Sequence, residues 1–142
     1  MARIYIGCSL TQASEGFVRK VESLKAHLRA EGHEVADFLG LVAGTPVDVY
    51  ETDIHKRVAE CEVLVAICDL PSIGLGWEIG TAVEKYHKPV LAVAHKDAKI
   101  SRLPIGADCE RNPNYWFRRY ENLNSVARLV SEFLKEISAK AI

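Results

Sequence analysis

The sequence predicts a single doubly wound α/β domain, and three observations carry that expectation. Short apolar, β-rich runs alternate along the chain with segments whose apolar residues recur at helical spacing. Two of the runs, "EVLVAIC" and "KPVLAVA", are apolar almost throughout, as strands covered on both faces of a parallel sheet must be. The chain has 142 residues, 49% apolar and 26% charged, which is ordinary globular usage. No linker, repeat or low-complexity tract divides it, so residues 1–142 are read as one domain. Each parallel step needs a right-handed crossover, which puts helices on both faces of the sheet. That arrangement is flavodoxin-like.

The elements follow in order. "ARIYIGC" is a β-rich run ending in small residues, and Phe17, Val21, Leu24 and Leu28 after it have helical spacing. Ser14 is placed as the N-cap of that helix and Gly32 as its stop. "HEVADF" offers a short second strand. "GTPVDVYETDIHKRVAEC" begins a helix with Thr45 as N-cap, Pro46 at the first helical position and Asp48 near the positive end. Val47, Tyr50, Ile54, Val58 and Cys61 are expected on its inner face. "EVLVAIC" is the central strand; "PSIGLGWEIG" leads into a helix carrying Ile79, Ala82, Val83 and Tyr86. "KPVLAVA" repeats the buried-strand pattern and "NYWFRRY" reads as a last strand. Val126, Leu129, Val130, Phe133, Leu134 and Ile137 mark a closing amphipathic helix.

A net charge of -1 and a pI near 6.5 give no general field for nucleic acid or an anionic membrane, so an anionic ligand must be held locally. The four cysteines (Cys8, Cys61, Cys68, Cys109) form no CxxC pair and no zinc spacing, and three lie in or beside apolar runs, as small buried hydrophobes do. "MARIYIGCSL" has too short an apolar run for a signal peptide, and no run is long enough to span a membrane. A cytoplasmic protein with reduced thiols and no metal is expected.

In such folds ligands sit beyond the carboxyl ends of the strands. Cys8, Ser9 and Thr11 follow the first strand, Asp69 and Ser72 the third, His95 and Ser101 the fourth. The stretch Pro71 to Gly80 invites a dinucleotide reading through Gly74, Gly76 and Gly80, but it follows the third strand, and Glu78 would stand beside a pyrophosphate it repels. The alternative makes Glu78 the point of the stretch: Gly76 turns the chain sharply, and Glu78 in the first helical turn is kept ionised by free amides and the helix dipole. A fixed, ionised carboxylate is a nucleophile for an anomeric carbon. Glu78 could equally do no more than complement the dipole. Asp53 lies on the flank of the buried stripe, either solvated and paired with Arg57 four residues on, or turned to the rim as a second carboxylate. Tyr5 is a core tyrosine or the group that orients Glu78.

Together "IYIGCSL", "YETDIHKRVAECEVLVAI" and "PSIGLGWEIGTAVEKYHKPVLAV" resemble the nucleoside 2-deoxyribosyltransferase superfamily, and within it the branch of 2'-deoxynucleoside 5'-monophosphate N-glycosidases. The likeness runs in order through nearly the whole chain. It implies a metal-free and cofactor-free enzyme that cleaves the N-glycosidic bond of a small nucleotide or nucleoside through a covalent deoxyribosyl intermediate. By that resemblance Glu78 matches the nucleophile, Asp53 the residue that assists departure of the base, and Tyr5 the residue that positions the nucleophile. Ser9, Ser72 and Ser101 stand where the nucleotide-hydrolysing branch holds the 5'-phosphate, with Gly74 and Gly76 allowing close approach of the sugar. Transferases acting on free nucleosides carry an acid six residues before the nucleophile; here that position is Ser72, which can donate to a phosphate oxygen. "CSLTQ" departs from the Gly-Ser-Ile-Arg-Gly of the branch and lacks its arginine. The resemblance also implies a homodimer. Base exchange between free deoxynucleosides, a non-catalytic nucleotide sensor, and a scaffold resting on "NYWFRRY" are the competing expectations.

Overall fold

The computed structural model describes residues 1–36 and 44–141. Five parallel strands form one sheet in the order β2-β1-β3-β4-β5. They are β1 (Arg3–Cys8), β2 (Glu34–Val35), β3 (Val63–Ile67), β4 (Val90–His95) and β5 (Tyr115–Tyr120). This is the flavodoxin-like order that the alternation predicts, and it reverses direction between β1 and β3. Asp37 and Phe38 of the expected second strand lie outside the described residues.

Helix α1 (Glu15–Ala30) starts where Ser14 Oγ accepts the Phe17 N–H at 3.1 Å. It ends in a Schellman pair, Gly32 N–H to Arg29 and His33 N–H to Leu28, with Gly32 at φ 97°. With α5 (Val126–Lys140), which contributes Phe133, it covers one face over Ile4, Ile6, Val65 and Leu91. Lys25 is buried on the same stripe, its ammonium 2.9 Å from Glu22 Oε1, a placement the apolar spacing gave no sign of.

The other face is covered by α2, α3 and α4. Helix α2 (Pro46–Thr52) opens on the expected capping box, in which Thr45 and Asp48 satisfy each other's backbone N–H at 3.3 and 3.0 Å. It continues as a π-helical segment from Asp53 to Val58. Ile54, Val58 and Cys61 are buried as expected, but Val47 is 66% exposed and Tyr50 44%. The π segment breaks the 3.6-residue period, so the apolar stripe does not carry back into α2. Helix α3 (Ile73–Gly80) likewise runs into a π segment, Thr81–Lys85, and α4 (Arg102–Gly106) is a short helix in "SRLPIGA". The aromatic run "YWFRRY" is β5, at one edge of the sheet, with Arg118 stacked 4.3 Å from the Trp116 ring. Cys8, Cys61 and Cys68 are buried free thiols and Cys109 is exposed. Among the described residues no helix is long and apolar enough to cross a membrane.

Candidate active site

The crevice where the strand order reverses is built on β1. Alternation turns Tyr5 and Gly7 toward α3, while Ile4, Ile6 and Cys8 face α1 and α5. A methyl group at Gly7 would stand 2.8 Å from Leu75 Cδ1 and 3.7 Å from Glu78 Oε1, so the absence of a side chain lets α3 lie on the strand with its carboxyl over the backbone. Gly7 is a site residue the sequence reading passed over; the small end of "IYIGC" was its only signal.

Glu78 is not where the loop reading put it. Ser72 is the N-cap of α3, its Oγ accepting the Leu75 N–H at 3.0 Å, and the Gly76 N–H already bonds the Ser72 carbonyl. The glycines are therefore helical, and Glu78 falls in the second turn, away from the free amides. Nor is its carboxyl held ionised. It is only 7% exposed, and burial pushes its pKa up to about 7, with the Tyr5 hydroxyl pulling it down and the Asp53 charge adding to the rise. Burial outweighs the helix dipole here. Glu78 Oε2 is buried with no hydrogen-bond partner among the described residues.

Asp53 opens the π segment, half-buried, and burial raises its pKa while Arg57 on the next turn lowers it. Asp53 thus feels the Arg57 charge, and its own charge acts on Glu78 and Tyr5. Tyr5 is 5% exposed, its phenol kept protonated by burial first and then by the two carboxylates. The structure thus gathers a tyrosine and two carboxyl groups of raised pKa in one crevice, equipment for nucleophilic and acid–base work.

The serines are not all gathered with them. Ser9 is buried just after β1, at 3% exposure. Ser72 and the exposed Ser101 line a separate groove of about 370 Å³ between α3 and α4, together with Lys99, Leu75, Gly76 and Ile79. Neither Glu78, Tyr5 nor Asp53 lines it. A Cβ added at Gly76 would meet nothing within 4 Å, and one at Gly74 only Ser72 Oγ at 3.9 Å, so this side of α3 is open to a ligand.

The sheet order and its helices on both faces define a flavodoxin-like α/β protein. No protein-family model matches the chain. It is 34% identical over 88 residues, 62% of its length, to a protein of Syntrophotalea carbinolica provisionally named 2'-deoxynucleoside 5'-phosphate N-hydrolase 1, and 33% identical over 88 residues to one of the same name from Methanococcoides burtonii. These matches span 58% and 70% of the relatives' own lengths. The chain belongs to this 2'-deoxynucleoside 5'-phosphate N-hydrolase family. Among solved structures, the CMP N-glycosidase of Clostridium botulinum superposes with a TM-score of 0.68 at 18% identity, covering 91% of this chain and 98% of that one. A conserved protein of Enterococcus faecalis gives 0.61 at 17% identity, covering 93% and 98%. The 2-desoxiribosyltransferase of Leishmania mexicana gives 0.58 at 16%, covering 68% and 66%. At these identities the structures support the fold.

Proposed function

We propose that the protein hydrolyses the N-glycosidic bond of 2'-deoxynucleoside 5'-monophosphates, releasing free base and deoxyribose 5-phosphate through a covalent intermediate on Glu78. One observation carries the reading: a buried carboxyl with an unpartnered oxygen, beside a tyrosine and a second carboxyl, at the reversal point of the sheet. Ionised Glu78 attacks the anomeric carbon, and the bonding pair of the glycosidic link leaves with the base nitrogen. Asp53, whose raised pKa suits an acid, supplies the proton that nitrogen takes up. Water then attacks the same carbon, giving its proton to the Asp53 carboxylate, and the bond to Glu78 breaks to free its carboxylate, with overall retention. Tyr5 donates its hydroxyl hydrogen to Glu78 and fixes it.

The 5'-phosphate is assigned to Ser9, Ser72 and Ser101. Ser72 lies six residues before Glu78, about 9 Å along the helix axis at 1.5 Å per residue, a span within reach of a deoxyribose 5-phosphate once both side chains extend. As the cap of α3 it is reachable from both flanks of that helix, and its own O–H is free to donate. Gly74 and Gly76 leave room for the sugar. A homodimer in the cytoplasm completes the proposal. The exposed Val47, Tyr50 and Trp77, with the last two rings 6.3 Å apart, provide an apolar surface for a second copy.

Incubation with deoxynucleoside monophosphates, with and without a second free base, tests the reading by chromatography of the products. Release of base and deoxyribose 5-phosphate is expected. Exchange confined to unphosphorylated nucleosides would overturn the phosphate assignment, and loss of phosphate selectivity in Ser72→Asp but not in Ser101→Ala would remove Ser101 from it.

A further inference from the structure

A second cavity lies apart from Glu78, Tyr5 and Asp53, none of which lines it. About 660 Å³ opens beyond the carboxyl ends of β3, β4 and β5, walled by α1 and by the 3-10 turn Leu123–Ser125. It lies across the sheet from Glu78: Tyr120 packs with the α1/α5 core, while Cys68, the neighbour of Asp69, packs with the opposite one.

The acids in this cavity are engaged and its donors are not. Asp69 accepts the His95 N–H at 3.0 Å on one oxygen and the Tyr120 hydroxyl on the other. Glu121 pairs with Lys96 at 3.6 Å. Arg19 meets only exposed Glu15, at 4.0 Å, a contact that holds it weakly. Lys20 has no ion pair among the described residues. Asn122 Oδ1 accepts the Asn124 N–H at 3.0 Å, which leaves its NH₂ to donate. His95 Nδ1 accepts the Asp97 N–H at 3.1 Å, so in the neutral ring the hydrogen sits on Nε2. Ser23 adds a hydroxyl. Two cations thus line the cavity with two acids, but Asp69 has both oxygens hydrogen-bonded already, so Lys20 and the N–H donors of Asn122 and His95 are the groups left to hold a ligand, and they suit an anion. Its size exceeds a bare oxyanion, and Phe17 and the Tyr120 ring give the remainder an apolar wall.

We propose that this cavity is a second binding site, for a small phosphomonoester, separate from the crevice and independent of the glycosidase reading. Lys20 and Arg19 take the phosphate, and Asn122, Asn124 and His95 the hydroxylated body. Titration of ¹⁵N-labelled protein with ribose 5-phosphate, ribose and inorganic phosphate, followed by amide shifts, tests it residue by residue. Saturable shifts at Lys20, Ser23, Asn122 and Asn124 are expected with ribose 5-phosphate, absent with ribose and weaker with inorganic phosphate. In Lys20→Glu the ester's affinity for this group of amides falls roughly tenfold or more while shifts around Ser72 to Gly76 are unchanged. Shifts confined to Ser72 to Gly76, an unchanged affinity in Lys20→Glu, ribose binding as well as its phosphate, or inorganic phosphate binding as tightly as the ester would each overturn the proposal.

Discussion

Two carboxylic acids stand at the carboxyl ends of this sheet in opposite states. Asp69 spends both oxygens on hydrogen bonds that tie the end of β3 to β4 and β5. Glu78, on the other face, is more deeply buried, and one of its oxygens has no hydrogen-bond partner among the described residues. A satisfied carboxylate holds a scaffold together; an unsatisfied one is costly to fold and is available for chemistry. The difference can be tested by removing each in turn.

The largest effect belongs to Glu78. Glu78→Gln keeps shape and burial but removes the proposed nucleophile, so turnover should drop by about a thousandfold or more in a steady-state assay. The same variant should be the more stable protein in alkaline solution. Because folding raises this carboxyl from 4.5 to about 7, the wild type has its full share of stability below pH 4.5 and loses it as pH rises through 7. That shift corresponds to about 3 kcal/mol, so denaturant midpoints of mutant and wild type should part as pH rises from about 4.5 to 7 and stay apart by a constant amount above it. Equal midpoints at every pH would mean the carboxyl is solvated.

Next in size is the acidity of the site itself. In the proposed reaction the attacking form is the carboxylate, so kcat/KM should decline as pH falls below about 7. Tyr5→Phe removes the hydrogen bond that pulls this pKa down; it should move the acid limb to higher pH and slow the reaction at neutrality roughly tenfold. A merely packing role for Tyr5 would leave the limb in place. The smallest effect sharpens the contrast from the other side. Tyr120→Phe takes one of the two bonds from Asp69 and should cost roughly 1–2 kcal/mol of stability in urea, with turnover nearly unchanged.

What was legible in the sequence was what repeats locally. Strands buried on both faces, the Ser14 and Thr45 caps and the α5 stripe are each encoded within a few neighbouring residues. The outer half of α2 was not, because a π turn shifts the phase of a helix without altering its composition, and Val47 and Tyr50 consequently face outward. Glycines at 74, 76 and 80 suggested a loop, yet Ser72 after Pro71 is a helix start, and three more capped residues place Glu78 one turn deeper than a loop would. The tyrosine and both carboxyls could be picked out by residue type, but their charge states could not. Those depend on burial, which brings together residues as far apart in the chain as Tyr5 and Glu78. The Asp69–Tyr120 bond, spanning 51 residues, and the cavity above it left no local trace at all.

The cysteines have a practical corollary. Burial pushes the thiols of Cys8 and Cys68 up to about 12 and that of Cys61 to about 11, so none supplies thiolate near neutrality. Cys109, alone at the surface, sits next to Asp108, whose carboxylate accepts the Phe117 N–H at 3.0 Å and pairs with Arg118. The native chain therefore offers a single addressable attachment point for a fluorophore or spin label, fixed beside the edge strand and remote from Glu78, without any residue having to be replaced first.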